Sequence, residues 1–241
     1  MRAVLCGANG AMGKLIDAIL GGEVVGRVSI DGENNVPKTF DELGAVEADV
    51  IIDFSHHSAA ADVLAYAEKV GAAVVIGTTG HTEDEKQMIM DAAQRIPVFY
   101  SGNMSLGIAL LCSLTRQAVA LFPEADVEIV EIHHNRKVDA PSGTAKMLFE
   151  AVKSVRPQAV EHDGRSGECR RTRDEVGISS LRMGSVVGIH EVHVCTPSQT
   201  ITLRHQVSNR NMLAEGGVEA ARFMVGKPKG FYNMENLLAG R

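Results

Sequence analysis

The sequence predicts an α/β protein with two domains: a helix-covered parallel sheet, followed by an α+β domain built on an open mixed sheet. Three observations predict this fold class. Short apolar runs alternate with helical patterns over the first hundred residues, a glycine-rich turn follows the first run, and the pattern changes after residue 104. Hydrophobic residues make up 45% of the 241 residues, which is enough for a proper core.

The first domain is predicted from continuous apolar strands separated by helices, the arrangement typical of a parallel sheet covered on both faces. The predicted strands are 2–7, 24–31, 48–55, 72–80 and 96–104, and the predicted helices are 11–20, 59–71 and 82–95. We expect residues 1–104 to form this domain, completed by residues 212–241.

The second domain, residues 105–211, is predicted from longer helices and alternating strands. The predicted elements are helices over 105–122 and 142–155, a half-exposed strand over 126–134, a polar loop over 161–177 and consecutive antiparallel strands within 178–208. We expect a final helix over 212–226 to pack back onto the first domain.

The turn GANGAMG places Gly7, Gly10 and Gly13 between a predicted strand and a predicted helix. Glycines there permit a close backbone approach, and the helix N-terminus offers N–H groups to a pyrophosphate. Asn9 stands where G-x-G-x-x-G has its second glycine. Asp31 ends the second predicted strand, 21 residues after Gly10, where a carboxylate can bond an adenosine ribose. The pattern predicts a Rossmann-like dinucleotide domain; a tight turn without a ligand is the alternative.

Two more small-residue loops follow predicted parallel strands, GTTG at 77–80 and SGNM at 101–104. Ligands of open α/β sheets lie beyond the carboxyl ends of the strands. We therefore expect these two loops and the glycine turn to form one continuous shelf for a dinucleotide.

The composition argues against several classes of partner. The formal net charge is -6, aromatic residues make up 4% and there is no Trp, so a nucleic-acid surface is not expected. The cysteines Cys6, Cys112, Cys169 and Cys195 form no CxxC pair and indicate free thiols in a reducing cytoplasm. A glycine-rich turn occupies the place of a signal-peptide core, and no apolar run approaches a membrane span.

The segment EIHHNRKVDAPSGTA, residues 131–145, concentrates positive charge in an acidic chain. Strand alternation places His133 and Lys137 on one face, whereas His134 needs a bend to join them. Ser142 is a plausible N-cap for the next helix, and the first-turn N–H groups of Gly143 and Thr144 favour a carboxylate or phosphate. The residues alone leave two readings open, a site for a small dianion and a solvated basic turn.

The motifs together resemble the dihydrodipicolinate reductase family along the whole chain. The resemblance is carried by GANGAMG, GTTG, SGNMSLG and the HH-x-x-K-x-D-x-P-S-G-T core. It implies a cytoplasmic homotetramer that transfers hydride from NADH or NADPH to the dehydrated form of 4-hydroxy-tetrahydrodipicolinate. This substrate is a cyclic dicarboxylate of lysine and diaminopimelate biosynthesis. It implies no metal.

The resemblance also implies roles for individual residues. His133 would be the proton donor and acceptor, and Lys137 a proton donor. The substrate would be bound by His134, Lys137, Ser142, Gly143 and Thr144. The cofactor would be bound by Gly7, Ala8, Asn9, Gly10, Ala11, Met12, Asp31, Gly77, Thr78, Thr79, Ser101, Gly102, Asn103 and Met104. Gly32 follows Asp31 where family members often carry a basic residue, so a dedicated 2′-phosphate site is not expected and NADH should serve at least as well as NADPH.

Three other functions remain as alternatives. One is a dehydrogenase of the amino-acid or homoserine type, and another is a dinucleotide sensor without catalysis. A metalloprotein would use His133, His134, His190 and His193, but residues 190 and 193 point to opposite faces of a strand. His56 and His57 are expected in a loop near the cofactor. Arg210, just before the last long helix, is a candidate for the cofactor site or the interdomain hinge.

Overall fold

A computed structural model describes residues 1–209 and 211–240, so Arg210 lies outside the described residues. The strands are β1 (Ala3–Cys6), β2 (Val24–Val28), β3 (Val50–Asp53), β4 (Ala73–Ile76), β5 (Pro97–Tyr100), β6 (Asp126–His133), β7 (Val160–Asp163), β8 (Glu175–Arg182), β9 (Gly188–Thr196), β10 (Gln199–Val207) and β11 (Gly230–Tyr232). The helices are α1 (Ala11–Leu20), α2 (Phe40–Leu43), α3 (Ala60–Val70), α4 (Glu83–Ala92), α5 (Leu106–Leu121), α6 (Gly143–Val155), α7 (Asn211–Met224) and α8 (Met234–Ala239). None of the helices in these residues is long and apolar enough to cross a membrane.

One compact unit comprises residues 1–105 and the described residues from 211 onward. Its strands pair in the order β11-β5-β4-β3-β1-β2, and every pair is parallel. Strands β1, β3 and β4 are buried throughout, and α7 packs across β3, β4 and β5 beside α1. The predicted Rossmann-like sheet is confirmed, and the carboxyl ends of β1, β4 and β5 carry the predicted cofactor loops.

The second compact unit comprises residues 106–209, with strands in the order β10-β9-β6-β8-β7. The β6–β8 and β7–β8 pairs are parallel, whereas β6–β9 and β9–β10 are antiparallel. Helices α5 and α6 pack on each other and supply an apolar core with the inner face of this sheet. The predicted mixed sheet is confirmed.

The predicted pairing within 178–208 is wrong for β8. Strand β8 is parallel to β6 and is separated from β9 by β6 itself, so only β9 and β10 form an antiparallel hairpin. The predicted loop over 161–177 is also wrong at both ends, where β7 and the start of β8 lie. Strand β7 is a short edge strand with polar residues at Glu161, His162 and Asp163, so it lacks the apolar run that marks a buried strand.

Several predicted boundaries shift. Strand β2 stops at Val28, three residues before Asp31, because residues 29–32 close a turn in which the Gly32 N–H donates to the Ser29 carbonyl. Strand β6 stops at His133, and β5 stops at Tyr100. The short elements α2, β11 and α8 were not predicted, since each is too short to show a clear period.

Helix α7 approaches the 101–104 segment closely because it carries glycine at the contact. Gly216 is buried in the helix, and a Cβ built on it would overlap the main-chain carbonyl of Met104. A main-chain carbonyl cannot swing aside as a flexible side chain can. The missing side chain therefore sets how near the helix lies to a predicted cofactor loop.

We expect Gly216→Ala to destabilise the protein despite the better helix propensity of alanine. Propensity alone would favour alanine by about 1 kcal/mol, but overpacking against a fixed carbonyl typically costs about 1–3 kcal/mol. The free energy of unfolding from urea denaturation measures the balance. Gly143→Ala is the matched control, because a Cβ at this helical glycine meets nothing within 4 Å. A Gly216→Ala protein at least as stable as the wild type would contradict the close approach.

Candidate functional site

Strand β6 delivers two polar side chains to the buried face of the second unit. Its residues alternate, so that Ile129, Glu131 and His133 share the inner face. The strand then ends, because a turn follows in which the Lys137 N–H donates to the His134 carbonyl at 3.1 Å. The predicted alternation through residue 137 therefore stops at residue 133, and the chain bends directly after His134.

Glu131 is fully buried and is the centre of a hydrogen-bond cluster. The Arg182 guanidinium donates to both of its carboxylate oxygens, at 2.8 and 2.9 Å. Nδ1 of His133 lies 2.5 Å from Oε2, and the Ser142 N–H donates to Oε1 at 3.2 Å. Burial opposes ionisation of this carboxyl, but the bonds from Arg182 and His133 outweigh it and hold the pKa of Glu131 below its usual value.

His190 closes the cluster from strand β9. Its ring lies 5.1 Å from the His133 ring in an edge-on arrangement, and its Nε2 is 3.3 Å from the Ser142 hydroxyl. Burial, aided by the neighbouring His133, lowers the pKa of His190 to about 4. The His190 ring is therefore neutral at neutral pH and adds no charge beside His133.

The N-terminus of α6 begins as predicted. The Ser142 hydroxyl accepts the Ala145 N–H at 3.2 Å, so Ser142 is the N-cap. Ser142 is buried, and its side chain is committed to this cap and to His190. Gly143 and Thr144 form the first turn, and space is open where a Gly143 side chain would lie. The positive end of the α6 helix dipole, with open space before it, is suited to bind an anionic group.

Lys137 and His134 lie in the loop between β6 and α6. The Lys137 ammonium donates to both Asp139 carboxylate oxygens, at 2.8 and 2.9 Å, and this bond lowers the pKa of Asp139. The Asp139 carbonyl accepts an Arg182 N–H at 2.7 Å, which ties the loop to the Glu131 cluster. His134 lines a cavity of about 570 Å³ together with Arg136, Ser185, Val187, Ser208 and Asn209.

The glycine turn of the first unit has its own internal bonds. The N–H groups of Gly7 and Ala8 both donate to the Val28 carbonyl, at 2.9 and 3.2 Å. A Cβ at Gly7 would overlap the Phe54 carbonyl, and one at Gly13 would overlap the turn itself. Gly10 is the N-cap of α1, so the first turn at Ala11 and Met12 is the part directed outward.

Asp31 lies at a cavity of about 430 Å³ that also borders Gly7 and Gly10. The Asn9 side-chain amide donates to Asp31 Oδ1 at 2.5 Å, and this bond, with one from the Glu33 N–H, lowers the pKa of Asp31. Asn9 stands where the G-x-G-x-x-G pattern has its second glycine, and its side-chain amide holds the predicted ribose-binding carboxylate of Asp31 in place. Lys38 and His56 line the same cavity.

The other two predicted cofactor loops are adjacent. Gly77 follows β4, and the Ser101 N–H donates to the Ile76 carbonyl at 3.2 Å. The Cβ position of Gly102 lies 3.9 Å from the Thr79 methyl. Ser101 and Asn103 bond each other, with the Ser101 hydroxyl donating to the Asn103 carbonyl at 2.8 Å, while Met104 is buried.

Thr78 differs from its loop neighbours because its hydroxyl points inward. It donates to the buried Asp53 at 2.6 Å and accepts the Ser55 N–H at 2.8 Å. Burial raises the pKa of Asp53, whose other oxygen accepts the Ser55 hydroxyl at 2.5 Å. Thr78 therefore braces the loop rather than pointing at a ligand. In another loop of the same unit, Nδ1 of His57 lies 2.9 Å from Glu85 Oε1.

The sequence reasoning missed three members of the Glu131 cluster. Glu131 stands two residues before His133 in an alternating strand, so a carboxylate on the buried face was the available signal. Arg182 lies opposite His133 in the β6–β8 register, and His190 lies opposite Glu131 in the β6–β9 register. His190 had been considered only as a metal ligand. His193 lies on the other face of β9, and no group of three or more His, Cys, Asp or Glu in residues 1–209 and 211–240 is arranged to hold a metal.

Comparison with known proteins covers nearly the whole chain. The family model for the dihydrodipicolinate reductase N-terminus matches residues 1–104, and that for the C-terminus matches residues 107–238. The 4-hydroxy-tetrahydrodipicolinate reductase of Alkaliphilus metalliredigens is 37% identical over 99% of both chains. That of Caldanaerobacter subterraneus subsp. tengcongensis is 40% identical over 99% of this chain and 98% of the relative.

Solved structures agree on the fold. Dipicolinate-bound dihydrodipicolinate reductase from Paenisporosarcina sp. TG-14 superposes with a TM-score of 0.78 at 23% identity, covering 97% of each chain. An amine dehydrogenase from Mycobacterium smegmatis superposes with a TM-score of 0.63 at 12% identity, covering 98% of this chain and 95% of that one. The resemblance inferred from the sequence is confirmed by the family and sequence matches, and the chain belongs to the dihydrodipicolinate reductase family of oxidoreductases.

Proposed function

We propose that the β6–α6 segment holds 4-hydroxy-tetrahydrodipicolinate and that His133 supplies a proton while its dehydrated form is reduced. Family membership makes the chain a reductase of lysine and diaminopimelate biosynthesis and sets aside the sensor and metalloprotein alternatives. One observation carries the proposal. A buried His133, the open N-terminus of α6 and the Lys137 ammonium all belong to one short segment of the second unit.

The first unit suits a pyridine dinucleotide. The glycine turn leaves no room for side chains where its backbone must approach a pyrophosphate, and the first turn of α1 is directed outward. Asp31 at the neighbouring cavity is suited to accept hydrogen bonds from ribose hydroxyls, while the 77–79 and 101–104 loops lie side by side. When bound, the reduced nicotinamide supplies the hydride for ring C4 of the substrate.

The second unit suits a dicarboxylate. The first turn of α6, at Gly143 and Thr144, faces open space and would receive one carboxylate with its N–H groups and dipole. Lys137, with His134 beside it in the loop, would receive the other carboxylate. The Asp139 carboxylate pairs with the Lys137 ammonium, and a substrate carboxylate would replace Asp139 in this pair.

The reduction requires a proton donor as well as a hydride donor. Hydride addition at C4 leaves an enamine-like nitrogen and carbon that must gain a proton, and a positioned acid at that point is typically worth about 10²–10⁴-fold in rate. His133 is the proposed donor, and Lys137 provides the second positive charge and donor at the site.

We also propose that the second unit assembles the chain into a homotetramer in the cytoplasm. Helices α5 and α6 pack on one face of its sheet. The other face carries polar, partly exposed side chains such as Glu191, Thr202 and Arg204, which suit a contact between subunits.

We expect His133→Gln to lower kcat by roughly 10²–10⁴-fold, because the proton donor of the transition state is lost. Cofactor affinity should be unchanged. The measurements are NADH oxidation with freshly prepared 4-hydroxy-tetrahydrodipicolinate, and NADH binding by fluorescence. His193→Gln, on the other face of β9, is the control and should retain the wild-type kcat. Near-normal kcat in His133→Gln would remove the acid role.

We expect Gly143→Val to raise KM for the substrate with little change in kcat. A Cβ at this position meets no protein atom within 4 Å, so the fold should accept a side chain there, but valine would fill the space proposed for a carboxylate. Losing one charge-assisted hydrogen bond of about 1.5–3 kcal/mol raises KM about 10–100-fold. Pyridine-2,6-dicarboxylate should inhibit the wild type competitively with substrate and should bind Gly143→Val weakly. Inhibition competitive only with the nucleotide would place the dianion site elsewhere.

We expect NADH to be used at least as well as NADPH, with a preference that shrinks as salt rises. A 2′-phosphate close to the Asp31 carboxylate meets a like charge, and salt screens this repulsion. Arg27 is held by Asp17 at 2.6 Å, whereas Lys38 lines the cavity and Lys14 acts on the Asp31 carboxylate through its charge.

Two variants test the separate contributions of the Asp31 and Lys38 charges to the choice of cofactor. Asp31→Ser should improve kcat/KM for NADPH relative to NADH, and Lys38→Met should lower it for NADPH alone. An arginine at Gly32 is not a suitable variant, because Gly32 has φ +63° and a Cβ there would overlap the Lys38 side chain. A wild-type kcat/KM for NADPH tenfold above that for NADH would show that Asp31 does not read the ribose.

A further inference from the structure

We propose that Glu131 is a positioning residue for His133: it holds the ring with its proton on Nδ1, so that Nε2 is the atom that exchanges protons with the substrate. The inference rests on the proposed acid role of His133 and assigns the group through which that role is controlled. Glu131 itself is fully buried and does not face the substrate.

The orientation follows from the contact distances. Nδ1 of His133 lies 2.5 Å from Glu131 Oε2, and a carboxylate without a proton can only accept, so Nδ1 must donate. The bond persists whether the ring is neutral or protonated. The proton that comes and goes is therefore on Nε2. Gly188 lies beside Nε2, where a Cβ would come within 3.2 Å, so the missing side chain avoids a close contact with this atom.

Arg182 keeps Glu131 an acceptor. Its guanidinium donates to both carboxylate oxygens, at 2.8 and 2.9 Å, from the position opposite His133 on β8. A guanidinium cannot lose its proton at neutral pH, so its neighbouring carboxylate stays ionised. The same guanidinium donates to the Asp139 carbonyl at 2.7 Å and so fixes the loop that carries Lys137.

The remaining groups around His133 do not compete for this role. From β9, His190 meets the ring edge-on and bonds the Ser142 hydroxyl rather than Glu131. From the loop, the Lys137 ammonium is paired with the Asp139 carboxylate. Among the described residues, Glu131, Arg182 and His190 surround His133, and Glu131 is the one whose side chain bonds the His133 ring.

The rival explanation is that Glu131 only joins β6, β8 and the start of α6. A double-mutant cycle separates the two, because a residue that acts through His133 has nothing to act on once His133 is replaced. The variants are Glu131→Gln, His133→Gln and the double variant. Glu128→Gln is the matched control, since it makes the same change on the same strand, where Glu128 pairs with Arg171 rather than with His133.

The measurement is the single-turnover rate of NADH oxidation across pH, with KM for the substrate, NADH affinity and thermal unfolding recorded for each variant. We expect Glu131→Gln to lower the rate by at least about tenfold with KM within about threefold, as when a histidine loses the carboxylate that fixes its tautomer. The basic limb of its pH profile should move to lower pH, because the protonated ring loses its adjacent negative charge. Glu131→Asp should restore the position of that limb, and Glu128→Gln should match the wild type.

In the His133→Gln background, Glu131→Gln should cause no further loss of rate. An equal loss in both backgrounds, or an unchanged rate and pH profile in Glu131→Gln alone, would overturn the proposal. If Glu131→Gln does not fold, Glu131→Asp is taken through the same cycle. Its rate should fall in the wild-type background and not in the His133→Gln background, and an equal loss of rate in both backgrounds, or no loss in either, would overturn the proposal. A normal rate in His133→Gln alone would instead overturn the proposed acid role.

Discussion

The second unit is organised by the need to neutralise one buried carboxylate. An uncompensated charge in a protein interior costs several kcal/mol, so a buried Glu131 requires partners from whichever elements surround it. Strand β8 supplies Arg182, the start of α6 supplies the Ser142 N–H, and β6 itself supplies His133. Fixing this carboxylate therefore fixes the strand register, the helix start and the proposed proton donor together.

The first unit handles a buried carboxylate in the opposite way. Asp53 accepts hydrogen bonds from the Ser55 and Thr78 hydroxyls, and among residues 1–209 and 211–240 no guanidinium lies at bonding distance from it. Burial raises the pKa of Asp53, whereas the pKa of Glu131 is lowered. Hydroxyl donors hold the loops after β3 and β4 together without adding a positive charge beside a cofactor. A paired cation suits the unit that would bind a dianion in the proposed function, and uncharged hydrogen-bond donors suit the unit that would bind a dinucleotide.

Local patterns in the sequence predicted the elements but not their neighbours. Helix α1 has the predicted bounds, because a glycine turn and an amphipathic period both mark it. Strand β7 was missed because it is polar and at an edge. The alternation of β6 was enough to put Glu131 on the buried face. Arg182 and His190, which lie in the same cluster, could not be predicted, since they are 51 and 59 residues from Glu131 and come near it only through the register of three strands.

The concentration of positive charge in residues 131–145 also has a physical reason. A net charge of -6 repels a dianion at long range, but at physiological salt that repulsion is screened beyond about 8 Å. What decides binding is the charge within a few ångströms, where screening is weak. Lys137 and a helix N-terminus within one short segment place positive charge close to the proposed carboxylate positions. Because Asp139 pairs with Lys137 and Glu131 pairs with Arg182, the excess positive charge of the segment is small, and the proposed dicarboxylate would displace Asp139 from Lys137.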